Sequence, residues 1–327
     1  MRTLSARIER HETRVPFVIA RGVKTHVEVV AVEVREGALV GRGEGTAVDY
    51  LGDTPEAALA AVLAQTEPIA AGATRLDLLR MMPAGAARNA LDAALWDLEA
   101  KRAGRRVWDL LGLGSPRPLL TAFTISLGEP AAMAEAARAA AHRELLKVKL
   151  GAGEGDLERA AAVRRAAPHA RLIVDANGGW SGLDVERLAH GLFDLGVELI
   201  EQPLPAGADG DLRHVRAPLP LCADESCHTR ASLSAVVGCY QMVNVKLDKA
   251  GGLTEALALV HACRVRGLGV MAGSMLATSL GIAAAFPVAM QASHADLDGP
   301  LLLRADRSPG LVFAGSDVHP PAPDLWG

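Results

Sequence analysis

Aromatic side chains make up only 3% of the 327 residues. Stacking on bases or sugars is therefore excluded as the main mode of recognition, and the core has to be built from Ala, Val, Leu and Ile. Charge of one sign is also lacking: 34 Lys and Arg stand against 38 Asp and Glu. That balance excludes a nucleic-acid footprint or a polybasic membrane patch, and any functional charge must be local. The four cysteines, Cys222, Cys227, Cys239 and Cys263, form no C-x-x-C pair. A zinc site and a disulfide framework are poorly supported, and small buried thiols in a reducing compartment are the expectation. No apolar run reaches the ~18 residues of a membrane span, and the opening MRTLSARIERHETR lacks the apolar centre of a signal peptide. A soluble, cytoplasmic protein is expected.

Two patterns divide what is present. Residues 26–34, HVEVVAVEV, alternate as a strand does, and Ala38–Gly45 runs back after a Gly37 turn. Helical stretches follow near 54–66, 74–82 and 85–103, the last with Ala90, Leu91, Ala94, Leu95 and Leu98 on one face. After Ser115-Pro116 the chain repeats a short apolar strand, a loop and an Ala-rich helix: LLTAFTIS, LLKVKL, ARLIVD, VELIE, LPLCAD, QMVNVK and LGVMAG are the strands. Near-continuous apolar strands alternating with helices pair in parallel, and this many in a row favour a closed α/β barrel over an open sheet.

Charge appears at one place in these units. Lys149, Asp175, Glu201, Asp224 and Lys246 each close a strand, at separations of 26, 26, 23 and 22 residues. One charge at a strand end is ordinary, but five in succession, with signs plus, minus, minus, minus, plus, mark the C-terminal rim where barrel enzymes keep their active sites. Three converging carboxylates would repel one another unless a cation sat among them, and an all-oxygen ligand set points to Mg²⁺. Lys149 and Lys246 flank the trio, the geometry of two bases on opposite sides of one substrate. Abstracting a proton next to a carboxylate generates an enediolate, which Mg²⁺ would stabilise. Lys147, two residues before Lys149, shares its strand face and would bind the same carboxylate while placing positive charge beside Lys149.

The set formed by Lys147 and Lys149, DANGGW at Asp175, IEQPLP at Glu201, ADES at Asp224 and VNVKLDKAGG around Lys246 resembles the enolase superfamily, in its muconate-lactonizing/mandelate-racemase-like subgroup. The resemblance spans nearly the whole chain. It implies a modified TIM barrel, (β/α)₇β, over residues 116–299, with an α+β capping domain of residues 1–115 completed by the tail 300–327. It implies Asp175, Glu201 and Asp224 as ligands of one Mg²⁺ per subunit, and Lys149 and Lys246 as paired acid/base catalysts. Lys246 matches the family's N-x-K position. Lys249, in the loop beyond, is expected to be solvated or associated with a helix.

Two features address the substrate. Asp296-Leu297-Asp298-Gly299 is similar to the D-x-D motif of the dipeptide epimerases, whose carboxylates hold the substrate's α-ammonium group. Arg14–Gly22, containing PFVIARG, corresponds to the family's mobile cap loop and looks like that of the L-Ala-D/L-Glu epimerases; Arg21 would clamp the side-chain carboxylate of a C-terminal Glu. GSMLATSLG, around Ser274, is expected to line the pocket. The resemblance thus implies an isomerase, a Mg²⁺-dependent L-Ala-D/L-Glu epimerase of murein peptide metabolism. The alternatives are a dipeptide epimerase of other side-chain preference, an N-acylamino acid racemase and an o-succinylbenzoate synthase. A small-molecule dipeptide is the expected partner, with a homo-oligomer possible. GAGEGD at Gly151 invites a dinucleotide reading, but Asp156 stands where the third glycine of G-x-G-x-x-G belongs. A non-catalytic scaffold barrel would lose nothing on replacement of Lys149 or Lys246. His228 and His294 are expected to be structural or surface residues.

Overall fold

The computed structural model describes residues 1–327. Three antiparallel strands come first: β1 (Arg2–Ile19), β2 (Gly22–Glu36) and β3 (Leu39–Thr46). The opening segment, read above only for what it lacks, is thus the longest strand. Arg14–Gly22 is no irregular loop either. After a register break between Glu12 and Phe17, Phe17–Ile19 pairs with Gly22–Lys24, so the expected cap loop is the end of a hairpin turning at Ala20-Arg21.

Four helices pack on this sheet: α1 (Pro55–Leu63), α2 (Thr66–Ala70), α3 (Arg75–Met81) and α4 (Ala86–Ala103). The contact between β3 and α4 is written into both sequences. Gly41, Gly43 and Gly45 fall on one face of β3, and Ala86, Ala90 and Ala94 on one face of α4. A Cβ on any of the three glycines would come within 2.0–2.2 Å of an α4 carbonyl oxygen. Only glycine permits this approach of backbone to backbone. The short α5 (Val107–Leu110) leads to the second unit.

β4 (Leu119–Leu120) belongs to a small sheet described below; the barrel starts at β5 (Phe123–Ile125). It continues through α6 (Pro130–Ala139), β6 (Leu145–Lys149), α7 (Asp156–Ala166), β7 (Arg171–Asp175), α8 (Val185–Asp194), β8 (Val197–Glu201) and β9 (Leu221–Ala223). It ends through α9 (Leu233–Val236), β10 (Met242–Lys246), α10 (Leu247–Ala250), α11 (Leu253–Val265), β11 (Gly269–Gly273), α12 (Ser279–Ala289), β12 (His294–Asp296) and α13 (Gly299–Leu302). All eight strands β5 to β12 pair in parallel and in chain order. Ala122 N donates to Ala295 O at 2.8 Å, tying the first strand to the last.

Two details depart from the sequence reading, and a third agrees with it. The eighth strand, β12, is missing from the seven strands read in the sequence; His294 begins it and Asp296 ends it. The crossover after β8 carries only a 3₁₀ segment, Asp209–His214, and the one after β9 little more. GAGEGD is a tight turn in which the buried Asp156 accepts from Gly151 N and Trp180 Nε1, both at 2.7 Å. The tail contacts both units. β13 (Phe313–Ala314) and β14 (Asp317–Val318) form an antiparallel sheet with β4, while Trp326 Nε1 donates to Ala93 O of α4.

Inside the barrel the side chains are layered, because alternate residues of a strand point inward. Ala122, Leu145, Ile173, Leu199, Cys222, Met242 and Met271 form an apolar floor. Apart from Gly273, the next inward positions are charged or polar.

Candidate active site

On that floor stand Asp175, Glu201 and Asp224, whose carboxylate oxygens lie within 4.8 Å of one another. Lys149, Asp175 and Glu201 are Cα partners across β6, β7 and β8. Glu201 pairs with Cys222, so Asp224 stands two residues further along β9, one step beyond the strand's end, in keeping with the stagger that tilts barrel strands. Lys149 Nζ lies 2.6 Å from Asp175, and Lys246 Nζ 2.7 Å from Asp224. Lys147 is centred among three carboxylates: Glu201 at 2.6 Å, Asp296 at 2.7 Å and Asp175 at 3.3 Å. It therefore faces acids as well as sharing a strand face with Lys149.

Lys249 lies on a helix, one of the two places expected for it, but is not solvated. Its ammonium is wholly buried, 2.6 Å from Asp224 Oδ1, and donates to the carbonyls of Asp224, Cys227 (3.0 Å) and Asn244 (3.1 Å). Spacing placed it in a loop; α10 begins directly after Lys246 and turns it back under the rim.

Protonation follows from these neighbours. Burial opposes charge on Asp175, yet Lys149 and Lys147 hold it below the usual carboxylate range. Burial likewise opposes charge on Asp224, and Lys246 and Lys249 outweigh it. Glu201 goes the other way, pushed up to about 7 by burial and by Asp175. Lys147 and Lys246 lose solvation, but the acids around them raise both above the ordinary lysine range.

The donor set suits a hard cation. Six buried carboxyls, those of Asp175, Glu201, Asp224, Glu225, Asp296 and Asp298, meet four buried ammonium groups. Glu201 Oε2 and Asp224 Oδ1 have lysines beside them but lack an aligned hydrogen bond. A divalent cation would supply the missing positive charge.

Two further residues shape this cluster. Asn244 Nδ2 donates to Glu201 Oε1 at 2.7 Å, and Gly273 leaves room for it, since a Cβ there would lie 2.4 Å from Asn244 Oδ1. Gln202 holds the loop of Asp224: its Oε1 accepts from Asp224 N at 2.9 Å, and its Nε2 donates to Ser226 and Tyr240. Gln202 and Asn177 adopt left-handed φ values of 37° and 44° just past Glu201 and Asp175. Such turns in non-glycine residues persist only where their surroundings enforce them.

A cavity of about 440 Å³ opens above the cluster, walled by the barrel and by the hairpin end with Phe17, Arg21 and Lys24. Lys147, Lys149, Lys246, Ser274, Asp296 and Asp298 line it. Asp296 Oδ1 is buried without a hydrogen-bond partner, and Ser274 Oγ donates to Asp296 O at 3.3 Å. Asp298 accepts from Thr124 N at 2.7 Å, with burial and Asp296 pushing its carboxyl up to about 7. Arg21 pairs with Glu225 and donates to Asn177 O at 3.2 Å. Glu225, next to Asp224, escaped the sequence reading, although the quoted ADES contains it. His228 supports that loop through Nε2 and Glu225 O, 2.7 Å apart. His294 lies at the opposite end of the barrel, 3.8 Å from Glu198.

A parallel eight-stranded barrel with adjacent carboxylates between lysines, under a lid from a separate sheet, defines an enolase-like architecture. Residues 1–112 match the family "Mandelate racemase / muconate lactonizing enzyme, N-terminal domain", and residues 131–321 match "Enolase C-terminal domain-like". The chain belongs to the mandelate racemase/muconate lactonizing enzyme family of the enolase superfamily. An L-Ala-D/L-Glu epimerase of Escherichia coli (strain K12) is 46% identical over 98% of this chain and 100% of its own. An N-acetyl-D-glutamate racemase of a Pseudoalteromonas species is 46% identical over 77% of this chain and 79% of its own. The solved structure of an enolase family member from Agrobacterium tumefaciens, with homology to dipeptide epimerases and with bound sodium and L-Ala-L-Glu, aligns at a TM-score of 0.97. It is 46% identical, with all of both chains covered.

Proposed function

We propose that this chain is a dipeptide epimerase that inverts the α-carbon of the C-terminal residue of L-Ala-D/L-Glu, the dipeptide released in murein turnover. The observation that carries the reading is the run of three carboxylates on adjacent strands with a lysine on each flank. Asp175, Glu201 and Asp224 would hold Mg²⁺, which when bound stabilises negative charge developing on the substrate's carboxylate. Lys149 and Lys246 reach the cavity from β6 and β10, on opposite flanks of the trio. One takes the α-proton and the other returns a proton to the opposite face, so the configuration inverts. Lys147 orients the substrate carboxylate. Asp296, with its unpaired Oδ1, and Asp298 receive the α-ammonium group, and Arg21 addresses the side-chain carboxylate, with Ser274 lining the wall.

One observation favours a second reading, an N-acyl glutamate racemase. Asp296 Oδ2 already has Lys147 and Asp298 already has Thr124, so each carboxylate has a protein partner without a substrate ammonium, and the Pseudoalteromonas relative is an N-acetyl-D-glutamate racemase. Incubation in D₂O with Mg²⁺ separates the two. L-Ala-L-Glu is expected to gain deuterium at the Glu α-carbon together with its D-epimer, and EDTA to abolish both. Exchange with N-acetyl-glutamate but no dipeptide would overturn the epimerase reading.

A further inference from the structure

We propose that Tyr50 is a specificity-determining residue of this site, its hydroxyl joining the Arg21 guanidinium as a two-donor seat for a terminal oxygen on the substrate's side chain. The inference rests on the reading above, in which Arg21 addresses that side chain, and adds a residue to it.

Tyr50 lies on the 3₁₀ turn Asp49–Leu51, which follows β3 and lines the cavity opposite the barrel. Its hydroxyl is shut off from solvent yet has no hydrogen-bond partner. A buried donor without a partner is rare in a folded protein and marks a place where a partner arrives. Burial, then the charges of Asp224 and Glu225, raise the phenol above its ordinary range, so it remains a donor.

Arg21 covers the same spot. Its Cζ stands 4.9 Å from the centre of the Tyr50 ring, a cation–π distance. Both of its protein contacts, to Glu225 and to Asn177 O, use Nη1. Nη2 and Nε therefore keep their protons for another acceptor. Glu225 and Asn177 O hold the guanidinium through Nη1, and Tyr50 supplies the second donor. A seat built to bond an oxygen discriminates against an isostere that lacks one, because its own donors are then left unpaired. The seat thus selects side chains ending in a carboxylate or carboxamide over apolar chains of equal length.

The test compares α-proton exchange in D₂O for L-Ala-L-Glu and L-Ala-L-Met, using wild type and Tyr50→Phe. The ratio of kcat/KM for Glu over Met is expected to fall about tenfold in Tyr50→Phe, mostly through KM for the Glu dipeptide, at an unchanged melting temperature. An unchanged ratio, whether both rates fall together or neither moves, would overturn the proposal. If wild type exchanges neither dipeptide, the dipeptide reading has failed on its own. N-acetyl-L-Glu and N-acetyl-L-Met then carry the same two side chains, and their ratio decides the role of Tyr50.

Discussion

The floor and the rim of the barrel interior are built from the same strands, two residues apart, and obey opposite rules. Leu145, Ile173 and Leu199 fill the floor, and two positions on stand Lys147, Asp175 and Glu201. The floor gains stability by removing apolar surface from water. The rim holds ten buried ionisable side chains where water is scarce, most of them with an opposite charge or a hydrogen-bond donor beside them. Stability is therefore concentrated below and chemistry above, and the alternation of a strand allows both within five residues.

Substitutions at the two levels should separate these roles. The largest expected effect is at the rim: Lys149→Ala or Lys246→Ala should lower α-proton exchange of the folded protein by ~10²–10⁴-fold, alongside a stability loss of ~3–5 kcal/mol, because each leaves a buried carboxylate without its ammonium. Loss of folding in both variants would show that the rim is structural. Lys249→Met tests a rim residue placed for structure, since it leaves Asp224 Oδ1 and three carbonyls without their ammonium while Lys246 stays on Oδ2. A loss of ~3–5 kcal/mol in urea unfolding is expected, and a loss under 1 would mean the ion pair is dispensable. On the floor, Leu199→Ala should cost ~2–5 kcal/mol, while the folded fraction keeps its exchange rate within a few-fold. A rate loss like that of the lysine variants would dissolve the distinction.

The smallest effect lies where the cap meets the rim. Asp248 is buried, accepts from Thr46 N at 2.8 Å and Asn89 Nδ2 at 2.7 Å, and is pushed up to about 7 by burial. Unfolded, it titrates near ~3.9. The native state thus binds the proton more tightly, and this contribution to stability is full below pH ~4 and lost as the pH rises through about 7. Asp248→Asn keeps both acceptor bonds, and its gain in stability should be larger at pH 8 than at pH 5 by ~1–3 kcal/mol. An equal change at both pH values would contradict a raised carboxyl.

Much of this was legible in the sequence, for physical reasons. Barrel strands are buried on both faces, so they appear as apolar runs, and a charge closing such a run has little to do but face the site; Asp175, Glu201 and Lys246 were read in this way. The hairpin end escaped because Arg14–Ile19 has no clean alternation and pairs across a register break. β12 escaped because His294–Asp296 is too short to show a period. Lys249 escaped because the return of α10 beneath the rim leaves no mark in spacing. Tyr50 and Glu225 had no local signal that set them apart from their loop neighbours, and Asn244 was marked only as the first residue of N-x-K, which says nothing of its bond to Glu201.

Sequence alone determined the parallel barrel, the order of charges along its strands and the residue types available for chemistry, since each depends on the periodicity and chemistry of short segments. Tertiary structure decided which of those charges meet: that Lys147 opposes three acids, that Lys249 braces Asp224, and that Arg21 and Tyr50 share one wall of the cavity. Such pairings join residues far apart in the chain, and they are set by strand stagger, by the turn of α10 and by the docking of one sheet over another. None of these is a property of any segment by itself.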